Sequence, residues 1–203
     1  MTGIIDYGMG NVGSLTNMVE RLGEPAILIN SYSLISSVDR LILPGVGSFD
    51  NGVLNLKEKG LWDHLNTAVL EMNKPILCIC LGMQLITNGS EEGKLEGLKW
   101  IDAECKKFSF SDTSLKIPHM GWNTVRFIKG SEINDFPSEE TRFYFVHSYY
   151  VDCRVKENIL GLTEYGIEFA SMVNKNKIYG TQCHPEKSHK YGMELLKKYL
   201  SVC

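Results

Sequence analysis

The sequence predicts a single-domain α/β protein in which a doubly wound sheet of mixed strand direction continues into a strand-rich C-terminal half. Three observations carry that prediction. Short apolar runs alternate with stretches of helical periodicity as far as Asn88, which argues for parallel strands covered on both faces. After Gly89 the helical period is lost and short strand-like runs dominate. No internal repeat, low-complexity tract or Pro/Ser-rich linker divides the 203 residues, a length suited to one domain, 1–203, with a substantial core.

In chain order, Gly3 to Asp6 is an apolar run that ends in the turn Tyr7-Gly8-Met9-Gly10. Val12, Leu15, Met18, Val19 and Leu22 then recur at helical spacing, with Asn11 placed to cap the helix and Gly23 to stop it. A second strand follows at Ala26 to Ile29, and a third at Leu41 to Leu43 runs into Pro44-Gly45-Val46-Gly47. Trp62, Leu65, Ala68, Val69 and Met72 mark a helix, and Ile76 to Ile79 a buried strand. Gly89 to Gly97 has the texture of a mobile loop. Strand-like runs cover Phe143 to Val146, Ile159 to Thr163, Phe169 to Val173 and Lys177 to Gln182, with Asn174-Lys175-Asn176 as a hairpin turn. A final helix, about Lys190 to Leu200, turns Leu195, Leu196, Tyr199 and Leu200 inward.

Composition narrows the function. With 43% hydrophobic, 22% charged and 10% aromatic residues the chain is neither disordered nor fibrous. A net charge of −3 offers no basic field for nucleic acid or anionic lipid, so a small or neutral ligand fits better. The longest uncharged apolar stretch, Pro75 to Met83, falls far short of the roughly 20 residues of a membrane span. The N-terminus lacks a basic segment and meets Asp6 before an apolar run can develop, which predicts a cytoplasmic protein. The six cysteines, Cys78, Cys80, Cys105, Cys153, Cys183 and Cys203, are scattered, and the spacing of Cys78 and Cys80 excludes a CxxC redox or zinc motif.

The sharpest local feature is Pro75-Ile76-Leu77-Cys78-Ile79-Cys80-Leu81-Gly82-Met83-Gln84, where a buried strand turns abruptly into a helix at Cys80. Such an elbow lifts its side chain above the carboxyl edge of the sheet while the next residues offer backbone N–H groups. The turn demands small neighbours: Gly82 supplies one, while Cys78 stands two residues before the nucleophile. A thiol nucleophile needs a base, and Thr181-Gln182-Cys183-His184-Pro185-Glu186-Lys187 offers His184, with Glu186 on the same face of an extended segment to hold the ring. The Leu81 N–H and the turn Pro44 to Gly47 would lie at the same sheet edge as oxyanion donors.

Cys80-Leu81-Gly82-Met83-Gln84, Leu43-Pro44-Gly45-Val46-Gly47-Ser48-Phe49 and His184-Pro185-Glu186-Lys187-Ser188 together resemble the class I, triad-type glutamine amidotransferases. More narrowly, Ile4 to Asn11, Pro118-His119-Met120-Gly121-Trp122-Asn123 and Tyr144-Phe145-Val146-His147-Ser148-Tyr149-Tyr150 resemble the glutaminase subunits of imidazole glycerol phosphate synthases. The resemblance implies a flavodoxin-like fold and a Cys80, His184, Glu186 triad. It implies a glutamine site in which Gln84, Ser148 and Tyr149 hold the amino and carboxylate ends while Val46, Gly47 and Leu81 line the oxyanion region. It also implies a heterodimer with a (β/α)8 cyclase contacted through Asn11, His119, Trp122, Asn123 and Lys187, with ammonia passed between subunits in histidine biosynthesis. No metal or organic cofactor is implied.

Three other readings stay open at the level of sequence. The glutaminase could feed a different acceptor enzyme, such as one modifying a surface sugar; the chain could be a silent scaffold; or it could be a cysteine hydrolase of the same broad fold. Cys78, where the family usually has glycine, could face the core or lie close enough to Cys80 for a reversible disulfide; the core is favoured because residues two apart on a strand share a face but one at a sharp turn need not. Cys183 should face away from the triad, and His64 and His189 read as structural or surface residues.

Overall fold

A computed structural model describes residues 1–111, 114–128, 133, 136 and 141–202; Cys203 lies outside the described residues. The strands are β1 (Thr2–Ile5), β2 (Ala26–Ile29), β3 (Arg40–Gly45), β4 (Ile76–Cys80), β5 (Gly89–Ser90), β6 (Ala103–Lys107), β7 (His119–Thr124), β8 (Arg126–Phe127), β9 (Arg142–His147), β10 (Tyr149–Cys153), β11 (Ile159–Tyr165), β12 (Ile167–Lys175) and β13 (Ile178–Thr181). The helices are α1 (Val12–Arg21), α2 (Phe49–Glu58), α3 (Trp62–Asn66), α4 (Leu81–Leu85) and α5 (His189–Ser201), and α3 runs on into a π turn at Thr67–Glu71.

The main sheet has the order β2-β1-β3-β4-β13-β12-β10-β6-β5, parallel from β2 to β13 and antiparallel from β13 to β6. β11 pairs with β12 and with β8, and β7 and β9 form a separate antiparallel ribbon in which His119 stands opposite His147. The central parallel strands are apolar on both faces because each face is covered. Ile5, Leu41, Leu43, Ile76 and Cys78 pack in one layer, which includes α2 and α3 residues such as Val53 and Leu65. Ile4, Ile42, Leu77 and Ile79 pack in the other, with Leu15 and Val19 of α1 and Leu195, Leu196 and Tyr199 of α5.

The predicted elements hold in kind and mostly in place. Asn11 caps α1, its side chain accepting from the Ser14 N–H at 3.2 Å, and Gly23 follows the helix at φ +84°. The hairpin turn lies slightly later than predicted: β12 continues through Lys175, and Asn176 takes the left-handed backbone, φ +55°. The segment Gly89 to Gly97 is tied down rather than loose. The Asp50 carboxylate accepts from the N–H groups of Lys94 and Leu95 at 3.0 Å, and Glu92 accepts from Phe49 N–H at 2.8 Å. α2, β6, β7, β8 and β10 carried no distinct periodic signal, since each mixes polar and apolar residues to fit a partly exposed setting. No helix among the described residues is long and apolar enough to cross a membrane.

Candidate active site

β4 ends at Cys80 with φ +54° and ψ −108°, a strained conformation for any residue with a β-carbon. The surroundings enforce it. α4 begins at the next residue, and a β-carbon at Gly82 would overlap the Leu43 carbonyl oxygen, so the helix can lie against β3 only with glycine there. Gly45 is equally constrained, by the Tyr7 hydroxyl and Leu81. Tyr7 itself is buried behind the elbow, with no hydrogen-bond partner for its hydroxyl among the described residues. Burial, with the charges of Cys80 and Cys78 nearby, pushes its pKa well up.

β13 lies beside β4, and the three residues after it carry the base to the same edge. His184 N–H donates to the Tyr144 carbonyl of β9 at 2.9 Å, Ser188 Oγ donates to the His184 carbonyl at 2.6 Å, and Tyr144 N–H donates to Ser188 Oγ at 2.9 Å. These bonds fix the tight turn that turns Glu186 back on His184. His184 Nδ1 lies 2.8 Å from Glu186 Oε1, with both side chains nearly sealed from solvent. His184 Nε2, the ring nitrogen that Glu186 does not hold, is the one available to Cys80 for proton transfer. Burial alone would lower the His184 pKa, but hydrogen bonding and charge from Cys80 and Glu186 override it and raise it to about 10.

A cavity of about 300 Å³ opens over these groups, lined by Val46, Gly47, Cys80, Leu81, Gln84, Glu92, Ser148, Tyr149 and His184. Gly47 takes φ +120° and packs against the Met9 methyl, while Gly10, at φ +111°, lies against Pro44 and Gly45. Beneath the cavity, Gln84 Nε2 donates to the Tyr149 carbonyl at 3.2 Å and to Gln182 Oε1 at 3.1 Å. Gln182 Nε2 in turn donates to Cys80 Sγ at 3.6 Å. A thiolate at Cys80 therefore has an amide donor beside it and an imidazolium in its field, the conditions that make cysteine nucleophilic.

Residues 3–202 match the family "Glutamine amidotransferase class-I". The chain belongs to that family. Within it, imidazole glycerol phosphate synthase subunit HisH 2 of Methanococcus maripaludis is 56% identical over 200 residues, 98% of each chain. The corresponding HisH 2 subunit of Pseudomonas aeruginosa is 43% identical over 98% of each chain. Among solved structures, a glutamine amidotransferase shares the fold with a TM-score of 0.78 at 15% identity, covering 99% of this chain and 97% of that one. PurLQS from Thermotoga maritima gives 0.73 at 18% identity, covering 99% and 97%.

In this amidotransferase Cys80, His184 and the residues expected to hold glutamine line one cavity, and Glu186 stands behind His184 on Nδ1. The expected partner-facing set divides. Trp122, 47% exposed, stacks on His189 at 5.6 Å and meets Tyr144 edge-on, while Lys187 Nζ lies 5.5 Å from the Tyr144 ring, so these side chains form an open aromatic and basic cluster. Asn11 is exposed at the start of α1. His119, in contrast, is 2% exposed and cannot present its ring to a partner; it is enclosed by Phe145 and Tyr165 and bonds to His147 at 3.0 Å. Asn123 is half-buried, and its amide is committed within the chain, donating to the Glu164 carbonyl at 2.9 Å and to His119. Strand alternation is the reason: in β7, His119 is buried while Met120 and Trp122 present their side chains outward. His64 stacks on Tyr32 at 4.2 Å, and Cys183 is sealed in the core against Thr181.

Sequence reasoning missed Glu92, His147 and Gln182. Glu92 sat in a stretch read as loop, and His147 lay inside a family word without a role of its own. Gln182, two residues before the base, is the one that its position next to His184 could have flagged.

Proposed function

We propose that this chain is the glutaminase subunit of an imidazole glycerol phosphate synthase, passing ammonia from glutamine to a (β/α)8 cyclase in histidine biosynthesis. The observation that carries this reading is the meeting of Cys80 and His184 at one cavity, with Glu186 bonded to His184, in a chain 56% identical over 98% of its length to a protein of that name.

Cys80 Sγ, as thiolate, attacks the side-chain amide carbon of glutamine, and the carbonyl electron pair moves onto oxygen. The lining groups available to that oxygen are the Leu81 N–H and the turn at Val46 and Gly47. His184 Nε2–H gives its proton to the departing nitrogen, and ammonia leaves a glutamyl thioester. Water then adds, His184 takes its proton, and glutamate departs as the thiolate re-forms. Glu186 holds the ring so that Nε2 faces the reaction. Both N–H bonds of the Gln84 amide are spent on Tyr149 and Gln182, which leaves its oxygen to accept from the substrate ammonium; the Glu92 carboxylate supplies a countercharge at the rim. The cyclase docks on the open cluster of Trp122, Tyr144, Lys187 and His189, beside the turn that carries the triad base.

The test is glutamate release from glutamine by the chain alone, then with a cyclase and its ribotide ligand, with Cys80→Ala as control. A large Cys80-dependent rise on adding both supports the reading. Silence with a cyclase that works on free ammonia overturns it.

A further inference from the structure

Two buried histidines that the mechanism does not use stand at the substrate wall, where His147 itself lines the cavity. His147 Nδ1 is 2.8 Å from the Tyr149 carbonyl, and its Nε2 is 3.0 Å from His119 Nδ1. His119 Nε2 in turn lies 3.2 Å from Asn123 Nδ2. The polarity of this chain is fixed from both ends. A carbonyl only accepts, so His147 Nδ1 carries the hydrogen and Nε2 is an acceptor. At the other end Asn123 Oδ1 accepts from Thr124 N–H at 2.8 Å, and its Nδ2 donates to the Glu164 carbonyl, so the amide presents a donor to His119 Nε2. His119 must then donate from Nδ1, which is what His147 Nε2 requires. Every bond is satisfied when each ring holds one hydrogen, on Nδ1. The aromatic surround of Phe108, Phe145, Tyr165 and Phe169 keeps water away, and burial lowers the pKa of His119 to about 4 and that of His147 to about 3.

The Tyr149 carbonyl is the node of this network. It accepts from His147 on one side and from Gln84 on the other, and Gln84 continues through Gln182 to Cys80. We infer that His119 and His147 are a positioning pair: they fix the Tyr149 carbonyl, and through it the Ser148–Tyr149 wall and the Gln84 amide that hold the backbone end of the substrate. The inference rests on the glutaminase reading above and deepens it. It assigns to the pair the binding of glutamine rather than its cleavage, because neither ring takes part in proton transfer at the amide.

The experiment measures glutamine hydrolysis by the full chain in complex with its cyclase, for wild type, His147→Leu and His147→Asn. His147→Leu raises KM for glutamine about tenfold, the scale of one buried hydrogen bond, and changes kcat by less than about threefold. His147→Asn, whose amide N–H takes the place of Nδ1–H, returns KM to within about threefold of wild type. Should His147→Leu fail to fold, His119→Phe, which suits the aromatic surround, takes its place with a smaller rise in KM. Nitrogen NMR of the histidine rings in the full chain shows the hydrogen on Nδ1 of both. A working wild type whose KM is indifferent to these substitutions, a loss confined to kcat, or hydrogens on Nε2 overturns the inference alone. A wild-type complex without glutamine turnover overturns the functional reading and this inference together.

Discussion

Cys78 and Cys80 stand two residues apart at the end of β4 yet pack into opposite layers of the molecule. Strand alternation would put them on one face, but the positive φ of Cys80 swings its side chain to the other. Cys78 therefore behaves as core, sealed and with its pKa pushed far up by burial. Cys78→Ala should cost about 1–2 kcal/mol of stability for the small cavity left behind. Glutamine hydrolysis should stay intact, and oxidant sensitivity should be the same as wild type. A Cys78–Cys80 disulfide found by peptide mapping of oxidised protein would contradict this.

Gln182 donates to the Cys80 sulfur, and it also holds Gln84. Gln182→Leu should slow alkylation of Cys80 by iodoacetamide and slow hydrolysis about tenfold, because a donor to the sulfur is lost. An unchanged alkylation profile would show that the imidazole alone sets the thiol.

The raised pKa of His184 has a definite sign. Its partners favour the protonated ring, so their contribution to stability is complete below the ordinary imidazole value of about 6.5 and is lost as pH rises toward about 10. Denaturant titration of wild type and Glu186→Gln should show a gap that is widest near pH 6 and narrows in alkali. The same substitution should lower kcat about a thousandfold through loss of ring orientation. A gap that widens with pH would refute the assignment.

His119 and His147 have the opposite sign. Their pKa values are depressed to about 4 and about 3, so the unfolded chain binds more protons below pH 6.5 and stability falls as pH drops through that range. Each ring contributes a slope of up to about 1.4 kcal/mol per pH unit. Wild type should lose stability faster than His147→Asn between pH 6.5 and 4, as read by urea midpoints.

Trp122, Lys187 and His189 are the exposed parts of the cluster around Tyr144. Trp122→Ala should weaken cyclase binding by about 2 kcal/mol, measured calorimetrically, while leaving the melting temperature of the free chain nearly unchanged. The buried His119 should behave in reverse, with His119→Ala lowering the melting temperature. Equal effects on binding from both would place the contact elsewhere.

The parallel half of the sheet and the elbow are legible in the sequence, as is the set Cys80, His184 and Glu186 that the fold brings together. In those parts the information is local: continuous apolar runs force burial on both faces, and Gly82 at the Cys80 turn leaves a signature within a few positions. The residues that the resemblance proposed for glutamine, Val46, Gly47, Leu81, Gln84, Ser148 and Tyr149, all line the cavity.

Only the tertiary structure decided how the C-terminal strands join, which faces Cys78 and Cys80 take, and that His119 lies inside rather than on the surface. It also decided that Gln182, Glu92 and His147 belong with the site. Those facts depend on pairings across long separations, such as His119 with His147, Gln84 with Gln182 and Phe49 with Glu92. No periodicity along the chain encodes such pairs, because a hydrogen bond between distant residues depends on where the sheet places them and not on what stands beside them in sequence.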